Sequence, residues 1–283
     1  MSGKGVIRVA TCQFPVGAAV QENAGQVRRQ IAEAAGQGAD VVHFPECALS
    51  GYAGTDMQSW DAYDWRLLRT ETEAVCDEAR RLGVWLVAGS AHPLTGGRLP
   101  HNCLYVVDPQ GRILDRYDKR FCTAGDLKFY SPGDHLTLFE VNGVVCGCAV
   151  CYDARFPELY RAYKKRGVQC LFHSFYNARA AGPGVLTVVM RPTLQCRAAT
   201  NYMWVSGANA CARYQCWPSV LVQPDGRIVG RLARHRAGVM VNAVDTNQQF
   251  YDASAPFRDD AMRGVLHSGD LVDDPRSHDR TSL

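Results

Sequence analysis

Runs of residues typical of β-strands alternate with helical segments along most of this chain of 283 residues. Nine segments rich in Val, Ile and aromatic residues have the length and composition of buried strands. They are residues 6–14, 40–44, 84–91, 102–107, 144–150, 168–173, 203–207, 219–223 and 238–244. Alternation of strands with helices is typical of layered domains in which helices cover a sheet. The pattern therefore predicts an α/β fold.

The helical segments are predicted from apolar residues spaced three and four apart and from the positions of prolines. The spacing predicts helices over residues 22–37 and 60–82. Pro157 suits the first turn of a third helix, and Pro192 is predicted to start or kink a fourth that ends near Asn201.

Two tight turns, at residues 108–111 and 224–226, each precede a further strand-like segment and predict hairpins. Antiparallel pairs are therefore mixed with strand-helix-strand units. No repeat and no Pro/Gly/Ser-rich linker divides the sequence, so a single domain over residues 1–283 is the simplest organisation. The polar segment from Ala253 onward lacks periodicity, which predicts either a frayed terminus or an arm that packs on a partner subunit.

Charge and hydropathy exclude several kinds of partner. The net charge is only +3 and both signs are interspersed, which argues against nucleic acid or an anionic membrane. The apolar stretch 143–152 is about half of the ~18 residues that a membrane span needs. The first residues do not resemble a signal peptide, so we expect a cytoplasmic protein whose twelve cysteines are mostly reduced.

Two of the predicted strands end at side chains that can move protons or stabilise charge. Glu46 follows the buried run 41–44 at the edge where α/β sheets usually bind ligands, and a carboxylate there can accept a proton. Lys119 ends the strand of the first hairpin, and its ammonium can stabilise an oxyanion or a thiolate. Taken alone, Glu46 is better explained as a loop carboxylate and Lys119 as a solvated lysine.

Cys151 stands at the most suggestive position among the cysteines. An apolar strand leads directly into it, and a helix opened by Pro157 follows shortly afterwards. This strand-turn-helix arrangement exposes a side chain and directs backbone N–H groups towards the space before it, as an acyl-transfer nucleophile requires. Such a thiol needs a nearby base or cation to ionise, and Glu46 and Lys119 would supply one of each.

Other interpretations of the cysteines remain open. Cys146, Cys148 and Cys151 could bind a metal, although the first two point to the same strand face and no fourth ligand with paired spacing follows. Cys148 and Cys151 could form a redox pair, although Cys148 lies inside an apolar strand. A catalytically silent scaffold is a third alternative. His43 and His173 are expected in the core or in loops rather than lining a pocket.

Taken together, these segments resemble the nitrilase superfamily of carbon-nitrogen hydrolases. Glu46 lies in HFPE, Lys119 in YDK and Cys151 in CYDARFPE, which match the three motifs of that family. The flanking matches are VATCQFPV with Asn23, LSGY ending at Tyr52, SPGD, CRAATN and SVLVQPDG. The resemblance covers roughly residues 6–245.

The resemblance implies a four-layer αββα sandwich with mixed sheets that pairs into a homodimer or a higher homo-oligomer. It also implies hydrolysis of a small linear amide or carbamoyl compound without a metal or organic cofactor. Glu46 would take the thiol proton, Cys151 would attack the carbonyl carbon, and Lys119 with the backbone N–H of Tyr152 would hold the oxyanion. A thioester would form and release a carboxylic acid. A true nitrilase acting on C≡N is the main rival.

The substrate-binding residues implied by the resemblance are Tyr52, Asp126, Tyr152, Arg155, Phe175 and Tyr176. Many members of the family carry a second glutamate about six residues before the Pro-Gly turn, and this chain has Asp126 there, one methylene shorter. Either Asp126 performs that role or the role is absent. Arg155 would either pair with a substrate carboxylate or form a salt bridge with Glu158. Phe175 and Tyr176 would form a pocket wall, or else belong to the core.

Overall fold

The computed structural model describes residues 4–178 and 184–283, and its centre is a pair of six-stranded mixed sheets. The described residues form the strands β1 (Val6–Gln13), β2 (Val41–His43), β3 (Trp85–His92), β4 (His101–Val107), β5 (Ile113–Asp118), β6 (Leu138–Val141), β7 (Val144–Val150), β8 (Cys170–Phe175), β9 (Trp204–Asn209), β10 (Val220–Val222), β11 (Ile228–Arg231) and β12 (Gly238–Asp245). The α-helices are α1 (Val20–Gly36), α2 (Trp65–Leu82), α3 (Pro157–Lys165), α4 (Val185–Asn201), α5 (Arg258–Arg263) and α6 (Pro275–His278).

The two sheets have the same plan. Their strand orders are β12-β1-β2-β3-β4-β5 and β11-β10-β9-β8-β7-β6. In each sheet the three central strands, β1-β2-β3 and β9-β8-β7, are parallel, and the outer strands pair antiparallel. The antiparallel pairs β4–β5 and β10–β11 confirm both predicted hairpins.

The structure moves the start of α2 and decides between the two predicted positions of Pro192 in α4, which ends at Asn201 as predicted. α2 begins at Trp65 rather than at residue 60, because the carboxylate of Asp64 accepts a hydrogen bond from the Leu67 N–H (2.9 Å) and caps the helix there. α4 contains Pro192 in its interior and does not start at it. A proline inside a helix removes one hydrogen bond, but the buried side chains of Met190 and Leu194 hold α4 on the second sheet across that position.

The buried side chains show four layers. One cluster lies between the sheets and includes Val9 of β1 and Phe172 of β8, and the side chains of α3 and α4 pack into it from the second sheet's outer face. The other cluster joins α1 and α2 to the first sheet, for example through Ile31 and Val75. Each such buried aliphatic side chain contributes about 1.5–3 kcal/mol. The predicted αββα sandwich is confirmed.

Polar contacts also join the two sheets. The His43 ring lies between Ser206 Oγ and Ser174 Oγ, each 2.9 Å from a ring nitrogen. Burial lowers the pKa of His43 to about 3, so the ring stays neutral. His173 is also fully buried, and its Nδ1 lies 2.6 Å from the Tyr160 hydroxyl. Both histidines belong to the core, as expected.

The chain divides into two units, Met1–Tyr251 and Asp252–Leu283, so the boundary lies one residue before the predicted tail. The second unit contains α5, α6 and an ion pair between Arg258 and Asp252. Its predicted packing on a partner subunit stays a prediction. Within residues 4–178 and 184–283, none of the helices has the length and apolar character needed to cross a bilayer.

Candidate active site

The predicted reactive residues lie where strands end. Glu46 follows β2 and Cys151 follows β7 directly, so both extend from the carboxyl ends of central parallel strands, one in each sheet. Lys119 follows the last residue of β5, and Tyr176 follows β8. Because the sheets pack face to face, these strand ends approach one another, as is usual for ligand sites in α/β proteins.

A buried ion pair joins Lys119 to Glu46. Lys119 Nζ donates to Glu46 Oε1 at 2.8 Å, and both side chains are fully buried. The Asn102 side-chain amide donates to the same carboxylate oxygen at 2.7 Å. Burial favours the neutral amine, but the negative charge of Glu46, together with other nearby groups, raises the pKa of Lys119 well above its usual value. Lys119 is therefore a permanent cation.

A second carboxylate, that of Asp126, binds the same ammonium. Asp126 Oδ2 accepts from Lys119 Nζ and from the Thr123 N–H, both at 2.9 Å, and its Oδ1 accepts from the Tyr52 hydroxyl. Burial raises the pKa of this carboxyl, but the Lys119 ammonium and the Tyr52 hydroxyl lower it to about 2. The shorter side chain of Asp126 thus reaches the lysine, because a 3₁₀ helix over Asp126–Lys128 places it there.

This carboxylate should stabilise the fold against acid. Because its pKa is about 2 in the folded state and 3.8 ordinarily, the stabilisation is complete above about pH 4 and is lost as the pH falls towards 2. We expect Asp126→Asn to unfold with a flatter pH dependence than the wild type across this interval, as measured by urea denaturation at each pH. Replacing the exposed Asp134 with Asn should leave the slope unchanged. If the free energy of unfolding of Asp126→Asn and of the wild type changed equally with pH, Asp126 would not be the carboxylate that stabilises the fold against acid.

Cys151 begins a 3₁₀ helix over Cys151–Arg155 and has φ = 46°, in the left-handed region. For a residue with a side chain this conformation costs about 1–2 kcal/mol, so the surrounding structure must impose it. The side chain of Cys151 is only partly buried, whereas Cys146 and Cys148 are fully buried. The strained turn therefore presents the sulfur atom of Cys151 outside the core.

The carboxylate of Asp153 holds this turn. Its Oδ2 accepts from the Val150 N–H (2.9 Å) and the Tyr117 hydroxyl (2.7 Å), and its Oδ1 accepts from the Phe121 N–H (2.9 Å). Burial raises the pKa of Asp153 to about 6, against these hydrogen bonds, which lower it. Because Phe121 lies two residues after Lys119, Asp153 ties the cysteine turn to the lysine segment.

Residues after β8 connect the acid to the sulfur. The Tyr176 N–H donates to Glu46 Oε2 at 2.9 Å, and the next residue, Asn177, donates from its side-chain amide to Cys151 Sγ at 3.4 Å. Neighbouring residues of one segment thus contact Glu46 and Cys151. The structure brings together the acid, the amine and the sulfur that sequence analysis singled out.

The remaining predicted substrate-binding residues lie in different surroundings. Tyr52 is buried, and its ring lies 5.1 Å from that of Tyr176. Tyr152 is 38% exposed. Phe175 is fully buried, and its ring packs against His173 and Trp217 in the core. The pocket-wall role of Phe175 stays a prediction.

Arg155, the remaining residue of that set, is exposed. Among the described residues it has no ion-pair partner, so the alternative salt bridge to Glu158 does not form. Its pairing with a substrate carboxylate stays a prediction.

Sequence reasoning missed two residues of the site, Asn102 and Asp153. Asn102 is the second residue of β4, and it contacts Glu46, which lies 56 positions earlier in the chain. Asp153 lies inside the cysteine motif itself, and its acidic side chain before a helix was the available signal. No group of three His, Cys, Asp or Glu side chains in the described part of the chain is placed to hold a metal ion.

Comparison with known proteins identifies the family. A family model described as carbon-nitrogen hydrolase matches residues 8–249. The chain belongs to the carbon-nitrogen hydrolase family. The omega-amidase of Danio rerio is 31% identical to this hydrolase over 238 residues, 79% of the chain and 83% of the relative. The omega-amidase of Homo sapiens is 28% identical over 244 residues, 81% and 86% of the two chains.

Solved structures of an amidase share the fold of this hydrolase. The amidase from Nesterenkonia sp. aligns with a TM-score of 0.78 at 24% identity, covering 94% of this chain and 98% of its own. A mutant of the amidase from Nesterenkonia sp. AN1 aligns with a TM-score of 0.74 at 25% identity, covering 92% and 100%. The prediction of an amidase-type carbon-nitrogen hydrolase is confirmed.

Proposed function

We propose that this hydrolase cleaves a small linear amide through a thioester on Cys151, with Glu46 as the proton carrier and Lys119 as the electrostatic stabiliser. The observation that carries the proposal is the shared surroundings of the three side chains. Glu46 lies 2.8 Å from Lys119 Nζ, and residues 176–177 contact both Glu46 and the sulfur. A mutant of the Nesterenkonia amidase shows Michael addition of acrylamide at its active-site cysteine, which supports a cysteine nucleophile.

The first half-reaction forms the thioester. Glu46 accepts the thiol proton of Cys151 while the sulfur bonds to the amide carbon, and the carbonyl oxygen becomes an oxyanion. The tetrahedral intermediate then collapses, the carbon-nitrogen bond breaks, and ammonia or an amine leaves with the proton from Glu46. In the second half-reaction Glu46 takes a proton from water, the hydroxide attacks the thioester, and Cys151 regains its proton as the carboxylic acid departs.

Lys119 supplies positive charge at a fully buried position. Its ammonium is fixed by Glu46 and Asp126, so it needs no reorganisation when negative charge develops nearby. With the N–H of Tyr152, at the strained turn, it would hold the oxyanion. Asp126 takes the place of the second glutamate found in many relatives.

The relatives named omega-amidases support a substrate with a carboxylate at the far end from the amide. The exposed Val185 (68%) and Val188 (71%) on α4 support the predicted pairing of subunits. The cytoplasmic location stays a prediction.

An ammonia-release screen tests the proposal. The purified enzyme is incubated with matched primary amides, carbamoyl compounds and nitriles of the same carbon skeleton. We expect amides to be hydrolysed at least about 10-fold faster than the nitriles, because the proposed site is built around an oxyanion formed from a carbonyl. Faster hydrolysis of the nitriles would contradict the proposal and favour a true nitrilase. Release of no ammonia from any of the compounds would favour a catalytically silent scaffold.

A further inference from the structure

A cavity of about 270 Å³ lies beside the site and is rich in arginine. Arg191 of α4, Arg231 of β11 and Arg234 line it together with Cys216 and Trp217. None of the described residues that line it is acidic. Three cations around one small cavity create a positive potential that a bound anion would neutralise.

The guanidinium groups have few partners of their own. Arg191 Nε is buried and has no hydrogen-bond partner among the described residues. Arg234 Nε donates to the Gln215 carbonyl at 2.7 Å, and none of the three arginines forms an ion pair within the described residues. A buried donor left without a partner costs about 1–3 kcal/mol. An anion in the cavity would remove that cost for Arg191, and the planar fork of a guanidinium matches a carboxylate.

Short contacts connect the cavity to the sulfur atom. The Trp217 indole N–H donates to Asn177 Oδ1 at 2.9 Å, and the Cys216 N–H donates to the Asn177 carbonyl at 2.7 Å. Asn177 in turn donates to Cys151 Sγ at 3.4 Å. One buried asparagine, Asn177, therefore contacts both the walls of the arginine cavity and the sulfur of the proposed nucleophile, so the cavity lies next to the reacting atom.

We infer that this cavity is the subsite for the carboxylate of an acidic amide substrate, with Arg191 as its central ligand. The inference rests on the proposed function and deepens it, because it assigns the substrate class to residues on this chain. It also moves the carboxylate-binding role from the solvent-exposed Arg155 to the partly buried Arg191. A carboxylate there would leave the amide end of the substrate facing Cys151.

A pair of substrates that differ only in charge tests the subsite. We expect Arg191→Gln to lower kcat/KM for succinamate about 10- to 100-fold, because one charge-assisted hydrogen-bonded pair is lost. The same variant should change kcat/KM for butyramide, which has no carboxylate, by less than about 3-fold. Arg236→Gln, at an exposed position outside the cavity, is the matched control and should change neither. An equal loss for both substrates, or a selective loss in Arg155→Gln instead, would overturn the inference.

Ligand binding to Cys151→Ala separates this inference from the proposed function. Titration calorimetry should show succinate binding that Arg191→Gln weakens about 10-fold or more, and inorganic phosphate should bind more weakly than succinate. If succinate binds in this way but no amide is hydrolysed, the proposed function fails and the carboxylate site stands. If amides are hydrolysed but succinate does not bind, or phosphate binds equally well, the carboxylate subsite is wrong.

Discussion

Replacing Cys151 with Ala is expected to lower kcat for amide hydrolysis by roughly 10⁴-fold or more, because no other group in the site can form the thioester. Alanine keeps the β-carbon, so the turn held by Asp153 retains its geometry and the protein should unfold at nearly the wild-type temperature. Loss of activity with an unchanged melting temperature would locate the effect in chemistry rather than in folding.

The role of Cys151 can also be tested by chemical labelling. The chain has twelve cysteines, and seven of them are fully or almost fully buried strand and loop residues outside the site: Cys12, Cys47, Cys103, Cys146, Cys148, Cys170 and Cys211. Brief treatment with iodoacetamide should inactivate the wild type with one label at Cys151, located by peptide mass spectrometry. Replacing the exposed Cys196 with Ala is the control and should leave both activity and inactivation unchanged. Near-wild-type hydrolysis by Cys151→Ala would remove the basis of the mechanism.

The strands were the most predictable part of the fold, because their signal is local. Residues 144–150 were predicted as a strand and form β7 with the same bounds, since an Asn-Gly turn precedes the strand and the Cys151 turn ends it. The start of α2 depended on which of several polar residues caps it, and the start of α4 on packing that holds a helix through Pro192. Neither helix start can be predicted from the spacing of hydrophobic residues.

The residues of the site likewise divide into those that local sequence predicts and those that it does not. Glu46, Lys119 and Cys151 each stand in a motif, so their positions were predictable. Asn102 could not be found, because its contact with Glu46 depends on how β4 lies beside the neighbouring strand end. The arginine cavity combines residues of α4, β11 and the loop that follows β11, and these meet only in the folded chain.

Replacing Lys119 with Met is expected to cost both activity and stability. Without the ammonium, the buried carboxylates of Glu46 and Asp126 face each other uncompensated, and breaking a buried ion pair in this way costs about 3–5 kcal/mol. The oxyanion also loses its cation, which should lower kcat by roughly 10²- to 10³-fold or more. The free energy of unfolding is measured in urea, and the rate by ammonia release.

A double substitution distinguishes this electrostatic explanation from a simple packing defect. Asp126→Asn in the Lys119→Met background removes one of the two unpaired carboxylates, so it should recover part of the lost stability, although alone it is destabilising. It should not recover activity, because the cation is still missing. Lys128→Met is the matched control, since Lys128 is exposed on the same 3₁₀ helix as Asp126, and it should change stability by less than about 0.5 kcal/mol. The 2.9 Å contact between Lys119 Nζ and Asp126 Oδ2 predicts that the two losses of stability are not additive. Additive losses in the double variant would mean that the two residues do not interact and would contradict the electrostatic explanation.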